Sequence, residues 1–312
     1  MMGGALALAC SRVERAQGGG LPPAASGGLP PAASAPTSPN VRLLEWDLGV
    51  QSWGHARAVV VVPAWGAPGA RFPVLVALHG RGESVKPPQE GAMGWPRDYA
   101  MVRAIDRLRA PPLRPADYEG LVDGPRLVDT NASLSRRPFG GLVIVCPWLP
   151  DVRPAATGDI GEYTRFVTDI LLPRVRAETP ALASPEATGI DGVSLGGAEA
   201  LRIGLGHVEA FGAVGGIQPA ISDLPSADWT ALAAGARARR PGLKLRLLTS
   251  HEDYFHDSVV GVSRAWAAAG VSHDFADLPG PHDYVFNRGP GSIELLLWHD
   301  RALDRGSAAD SR

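Results

Sequence analysis

Gly189-Ile190-Asp191-Gly192-Val193-Ser194-Leu195-Gly196-Gly197 is the stretch whose reading decides the fold. It holds the pattern G-x-S-x-G from Gly192 to Gly196 and leads into a helix-forming run, Ala198 to Leu205. A strand, a sharp turn and a helix read this way when the turn has to present one serine. Such a turn strains its central residue, so the neighbours must be small. A Cβ at Gly192 or Gly196 would press on the adjoining strand or helix. The chain has 38 glycines, so the pentapeptide alone can arise by chance. A near-miss, Gly261-Val262-Ser263-Arg264-Ala265, lacks the second glycine and lies within a helical pattern. The rest of the chain must therefore decide whether Ser194 is a nucleophile.

At 312 residues the chain can hold one large domain or two small ones. Apolar content of 45% and charge of 20% are ordinary for a globular protein with a sizeable core. The net charge of −2 creates no field favouring nucleic acid or an anionic membrane surface. Lysine is confined to Lys86 and Lys244, and arginine carries the positive charge. Arg237, Arg239 and Arg240 read as cations at a helix C-terminus, just before Pro241-Gly242. Two cysteines, Cys10 and Cys146, exclude a disulfide framework, and Cys146 reads as a small buried hydrophobe. No apolar run approaches the roughly 18 residues of a membrane span.

Residues 1–40 do not read as folded. Met1 to Cys10 resembles the tail of a bacterial lipoprotein signal, although it has no positive n-region and its apolar part is short. A tandem repeat follows, Gly19 to Ser26 and Gly27 to Ser34, whose proline and glycine pairs suit a spacer. Together they imply export to the cell envelope or periplasm, with membrane anchoring through a lipidated Cys10. The alternative is a cytoplasmic protein with an unstructured tail. The expected organisation is a tail over residues 1–40, one domain over 41–306 and a disordered tail over 307–312.

From Val41 the pattern changes. Val41 to Val50 and Ala56 to Pro63 read as strands, and Phe72 to Leu78 is a near-continuous apolar run, as in a strand covered on both faces. It leads into His79-Gly80-Arg81-Gly82-Glu83-Ser84, a glycine-rich turn that leaves backbone N–H groups free to face a ligand. Residues 85–140 are a long excursion with one helical pattern, Arg97 to Leu108. Trp95 and Tyr99 in it could line a substrate pocket or sit in the core. Gly141 to Cys146 reads as a strand, and Gly161 to Glu178 as an amphipathic helix with Tyr163, Phe166, Val167, Ile170 and Leu171 on one stripe, bent or ended at Pro173. Further strands are expected at Ala210 to Gly216, Leu243 to Thr249 and Val271 to Ala276. Helices are expected at Ala227 to Arg239, Ser258 to Ala269 and Ser292 to Leu303, with a loop over Leu278 to Tyr284. Alternating strands and helices predict a mostly parallel twisted sheet with helices on both faces. Ser194, Asp253, His282 and the His79 to Gly82 turn all fall at predicted strand C-termini, where ligands bind in such sheets.

From about Val41 to Leu303 the chain resembles the putative-esterase branch of the α/β-hydrolases, which groups S-formylglutathione hydrolase, enterochelin-esterase-like, feruloyl-esterase-like and mycolyltransferase-like enzymes. The matching motifs are HGRGE at His79 to Glu83, LLP at Leu171 to Pro173, GVSLGG at Gly192 to Gly197, HED at His251 to Asp253 and PHDY at Pro281 to Tyr284. The resemblance implies an α/β-hydrolase fold and a serine esterase working through an acyl-serine. Ser194 would be the nucleophile, Asp253 the acid and His282 the base. The N–H groups of Leu195, Arg81 and Gly82 would be oxyanion donors. Ser250-His251 departs from the glycine of many relatives, and the 85–140 excursion matches no subfamily, so the substrate stays open.

Glu252 and Asp257 compete with Asp253 as the acid, and Asp191 reads as a turn or sheet-edge group. His251 and His256 read as surface or supporting groups. Their spacing of five does not suit a zinc helix, which needs histidines four apart, so no metal is expected. Gly212, Gly215 and Gly216 do not form a dinucleotide fingerprint and no P-loop lysine is present, so no cofactor is expected. The partner implied is a small-molecule ester, not nucleic acid. An acyltransferase of the same fold and a non-catalytic envelope protein are the alternatives.

Overall fold

The structure is a computed structural model that describes residues 35–151 and 157–306. The lipoprotein-like segment with Cys10, the tandem spacer and the 307–312 tail lie outside the described residues. Ser38 and Asn40 both hydrogen-bond Asp106, so the segment just ahead of Val41 is tied to the domain.

The sheet contains β1 (Val41–Gln51), β2 (Gly54–Pro63), β3 (Val74–Leu78), β4 (Val143–Pro147), β5 (Thr188–Gly192), β6 (Ala213–Ile217), β7 (Lys244–Glu252) and β8 (Asp274–Pro281). Their order is β1-β2-β4-β3-β5-β6-β7-β8. The hairpin β1–β2 is antiparallel and meets β4 antiparallel, while every pair from β4 to β8 is parallel. The alternation within the apolar runs divides the core. Val74, Val76 and Leu78 enter one apolar layer and Leu75 and Ala77 the other. On the first face lie the helices Leu195–Gly206, Ser226–Arg239 and His256–Ala268, and on the second Met101–Arg109 and Ser292–Ala302. Inner strands buried on both faces have to be apolar throughout, which is why β3 and β4 read as unbroken runs.

The structure departs from the sequence pattern in several places. The helix expected over Arg97 to Leu108 is broken at Ala100, whose φ of 53° ends a π-turn over Gly94–Asp98 before Met101–Arg109 begins. The helix Gly124–Arg136, capped by Asp123, is absent from the expectation because it buries little, with only Thr130 and Leu134 inside and Val128 exposed. Between Thr157–Arg165 and Leu172–Glu178 the chain makes a π-turn over Phe166–Leu171. The extra residue turns Ile170 outward and brings Leu171, Leu172 and Val175 inward. The last strand runs from Asp274 to Pro281, later than Val271 to Ala276, and takes in part of the expected loop. Pro279 and Pro281 are compatible with it because β8 is an edge strand that pairs only with β7.

Asp191 corrects the expectation most sharply. It is no sheet-edge group but a buried carboxylate in β5. Its Oδ2 accepts from Arg246 Nη2 at 2.6 Å and from His299 Nε2 at 3.1 Å, and its Oδ1 accepts from the Gly192 N–H at 2.7 Å. Burial pushes the carboxyl up, but the Arg246 guanidinium and His299 outweigh it and hold Asp191 below the usual carboxylate range. Gly215 on the strand between is there for space, since a Cβ would lie 2.1 Å from Asp191 Oδ2.

His79 joins the exits of β3 and β4. Its Nε2 accepts the Leu149 N–H at 2.9 Å, so the proton sits on Nδ1, which donates to Gly80 O at 2.9 Å. Burial lowers its pKa, partly opposed by Glu83, and burial lowers that of His299.

Two outcomes follow from these buried groups. Arg246→Met should leave Asp191 buried without its cation and cost about 3–5 kcal/mol in chemical denaturation. A loss under about 1 kcal/mol would show that the pair is not stabilised as described. His79 and His299 both have folded pKa values below the unfolded histidine value of about 6.5. Their contribution is fully present above that pH and is lost as pH falls from it toward the folded values, because only the unfolded state takes up the protons. Unfolding free energy should drop by up to about 1.4 kcal/mol per pH unit per group. His79→Gln should flatten that slope; an unchanged slope would remove His79 from the account.

Candidate active site

Ser194 sits between β5 and the helix Leu195–Gly206 at φ 58°, ψ −119°. That backbone geometry costs on the order of 1–3 kcal/mol in a non-glycine residue. The surrounding backbone holds it: Val193 N–H donates to Leu78 O, Ser194 N–H to Ile217 O at 3.0 Å, and Ser194 O accepts from Ala220 N–H at 3.0 Å. The glycines beside it are sterically required. A Cβ on Gly192 would lie 2.4 Å from Gly196 O, and one on Gly196 would lie 2.4 Å from His79 O. Nothing larger than hydrogen lets the helix come this close to the exit of β3. By contrast, Ser263 of the near-miss pentapeptide is mid-helix and hydrogen-bonds His273.

Asp253 follows β7 and His282 follows β8, and because these strands are neighbours the two side chains meet. His282 Nδ1 lies 2.6 Å from Asp253 Oδ1. The Asp253 side chain is fully buried, its Oδ1 also accepting the Phe255 N–H at 3.0 Å and its Oδ2 the Thr249 hydroxyl at 2.8 Å. A carboxylate so placed fixes the tautomer with the proton on Nδ1 and leaves Nε2 a lone pair. The rings of Tyr254 and Phe255 flank the imidazole at 5.2 and 5.5 Å. The competing acids point elsewhere: Asp257 is exposed beside His256, and Glu252 is exposed at the end of β7. His251 and His256 both face Asp277, at 3.8 and 2.9 Å.

Ser194 Oγ makes no hydrogen bond among the described residues in this conformation. Gln218 ties the two sides together. It follows Ile217, the acceptor of the Ser194 N–H, and holds φ 43°. Its Nε2 donates to Ser250 Oγ at 2.6 Å and to Pro281 O, next to His282, at 3.1 Å. The sequence marks Gln218 only as an amide at a strand end before Pro219, and its bond gives the Ser250 hydroxyl a partner.

The turn after β3 is built from its carbonyl outward. Gly80 O accepts from His79 Nδ1 and from the Glu83 N–H at 3.2 Å, and the Gly80 N–H donates to the Tyr99 hydroxyl at 3.1 Å. In a trans peptide the N–H of the next residue points opposite the carbonyl. Fixing Gly80 O therefore aims the Arg81 N–H the other way. Arg81 and Gly82 open a single helical turn, Arg81–Ser84, and Leu195 opens the helix after Ser194, so all three N–H groups lack an intrahelical acceptor. Gly80 itself abuts the serine: a Cβ there would lie 3.6 Å from Ser194 Cβ. The Arg81 side chain turns to Asp151, 3.1 Å away.

Trp95 and Tyr99 do not line a pocket. Trp95 is completely buried with its Nε1 on Leu78 O at 2.9 Å, and Tyr99 packs edge-on against it behind Gly80. Large aromatic rings under a turn fill the core more readily than they face solvent. Among the described residues no three His, Cys, Asp or Glu side chains converge as a metal site would require.

Residues 149–270 match the family described as putative esterase. No curated protein matches the sequence of the chain. Solved structures match over most of its length. A ferulic acid esterase aligns at a TM-score of 0.63 and 16% identity, covering 85% of this chain and 99% of its own. An S-formylglutathione hydrolase from Staphylococcus aureus aligns at 0.59 and 14%, covering 83% and 99%. A CE1 ferulic acid esterase from the anaerobic fungus Anaeromyces mucronatus aligns at 0.56 and 15%, covering 86% and 92%. The described domain thus has the α/β-hydrolase fold, and its segment 149–270, which carries Ser194 and Asp253, matches the putative esterase family.

Proposed function

We propose that the chain is a serine esterase, cleaving a small-molecule carboxylic ester through an acyl-serine intermediate. What supports this is a serine held at φ 58° at the carboxyl end of β5 and, at the ends of β7 and β8 of the same sheet, a buried carboxylate 2.6 Å from an imidazole Nδ1. His282 Nε2 takes the Ser194 proton as Oγ attacks the ester carbonyl. This step needs a Ser194–His282 hydrogen bond, and catalytic hydrogen bonds commonly tighten only in the substrate complex. Asp253 stabilises the imidazolium. The tetrahedral oxyanion takes the N–H of Leu195 and that of Arg81, with Gly82 adjacent. The Gly80 N–H is already donated to Tyr99. His282 then returns the proton to the leaving alcohol, and water releases the acyl group by the same steps reversed.

Acyl transfer and a non-catalytic role are not favoured, since the matching family and structures bear the names of esterases and hydrolases. Ferulic acid esters and S-formylglutathione are the substrates to assay first, from the likeness to structures bearing those names. The Met1 to Cys10 sequence and the spacer behind it support an envelope-anchored enzyme. Mass spectrometry of protein from the native host tests this by finding Cys10 acylated or bare.

Fluorophosphonate labelling should occur in the wild type and vanish in Ser194→Ala; labelling that survives would remove Ser194 from the chemistry. Asp253→Asn should lower turnover by about 10⁴ with the fold retained, on the pattern of serine-protease triads. Near-normal turnover would move the acid to another carboxylate.

A further inference from the structure

The two halves of this site stand on strands far apart in the sheet. The Arg81 and Gly82 donors follow β3 and the base follows β8, with β5, β6 and β7 between them. At about 4.8 Å per strand the two exits are roughly 19 Å apart across the sheet. The loops must reach over the intervening strands, and something must set how far each comes.

Glu83 is placed to do so. It is a buried carboxylate, 1% exposed, two residues beyond Arg81. Its Oε1 accepts from the Tyr284 hydroxyl at 2.6 Å and from Lys86 Nζ at 3.3 Å, and its Oε2 accepts from the Tyr99 hydroxyl. Tyr284 lies two residues after His282. A hydroxyl has one proton to donate. Tyr99, having donated to Glu83, must meet the Gly80 N–H with a lone pair, which is the bond observed. The direction of each bond in the chain Gly80–Tyr99–Glu83–Tyr284 is therefore set by the carboxylate. The packing around it is close: a Cβ on Gly82 would lie 3.0 Å from the Tyr284 hydroxyl, and one on Gly94 would lie 2.7 Å from Glu83 Cγ. Lys86, one of two lysines in the chain, is shared between Glu83 and Asp98, so the buried charge is compensated.

We infer that Glu83 is a positioning residue that couples the oxyanion turn to the loop of the base, holding the Arg81 N–H and His282 at the separation that the transition state requires. The inference rests on the esterase reading above. Glu83 touches neither substrate nor the reacting atoms. Its removal should lower turnover and leave ground-state binding nearly intact, because a misplacement of about 1 Å can reduce rate by up to 10²-fold.

The test compares wild type with Glu83→Gln, Tyr99→Phe and Tyr284→Phe on p-nitrophenyl acetate. Turnover is expressed per serine labelled by a fluorophosphonate probe. Gln keeps the shape but presents an NH₂ donor to one of the two phenols. Phe at 284 removes a single hydroxyl from a half-buried ring, so this variant keeps the experiment decisive where Glu83→Gln fails to fold. The expected result is a fall in kcat per labelled site of roughly 10- to 100-fold, with KM shifted less than about threefold and the pH midpoint of kcat/KM unchanged. A purely structural role would reduce the number of labelled sites and leave kcat per site alone. Unchanged kcat per site in Tyr284→Phe, with labelling abolished by Ser194→Ala, overturns the coupling and leaves the esterase reading standing. Labelling that persists in Ser194→Ala overturns the site and the coupling with it.

Discussion

The close approach of the Leu195–Gly206 helix to the exit of β3 is the constraint on which the site depends. With hydrogen in place of Cβ at Gly192 and Gly196, the backbones can meet at distances that any side chain would forbid. The strain at Ser194 follows from this contact, as does the nearness of Gly80 to the serine. The first N–H of the helix and the first N–H of the turn after β3 are left without intrahelical acceptors. A carboxyl end of a parallel sheet is a natural place for this, because every strand there delivers a loop to the same edge.

Two buried carboxylates, Asp191 and Glu83, show how polarity is managed in this fold. Asp191 lies in β5 beneath the turn, neutralised by Arg246 and bonded by His299, and it requires Gly215 beside it for space. Glu83 lies above β3 and takes two phenols and an ammonium. Burial pushes the Tyr99 phenol well up, with the Glu83 charge acting the same way, so the ring remains a donor. A buried carboxylate without such partners would be strongly destabilising. Each is satisfied by residues from several segments of the chain, and each lies beside a turn of the candidate site.

Cations elsewhere serve plainer ends. Arg239 and Arg240 donate to the carbonyls of Leu205, Gly206 and Val208, covering the C-terminal end of the helix that begins at Leu195. This agrees with the reading of that cluster from sequence, although the carbonyls satisfied belong to a neighbouring helix more than to their own.

Local chemistry decided much of this protein before any tertiary contact was known. The steric demand for small residues around Ser194, the apolar runs of β3 and β4 and the alternation of strand and helix are written in neighbouring residues. They place Ser194, Asp253, His282 and the His79 turn at strand ends. What only the tertiary structure decided concerns residues far apart in sequence, such as Glu83 and Tyr284 or Asp191 and His299. Sequence does not reveal whether a carboxylate is buried, so Asp191 read as an edge group and Glu83 as part of a motif. Nor does it reveal which N–H groups are already bonded, such as that of Gly80, which donates to the Tyr99 hydroxyl. Periodicity also fails where a helix takes up an extra residue, as at Phe166–Leu171, or where an edge strand tolerates prolines, as in β8. Short-range sterics and patterning act between neighbours and are legible in the chain; burial and hydrogen-bond partnership are properties of the packed whole.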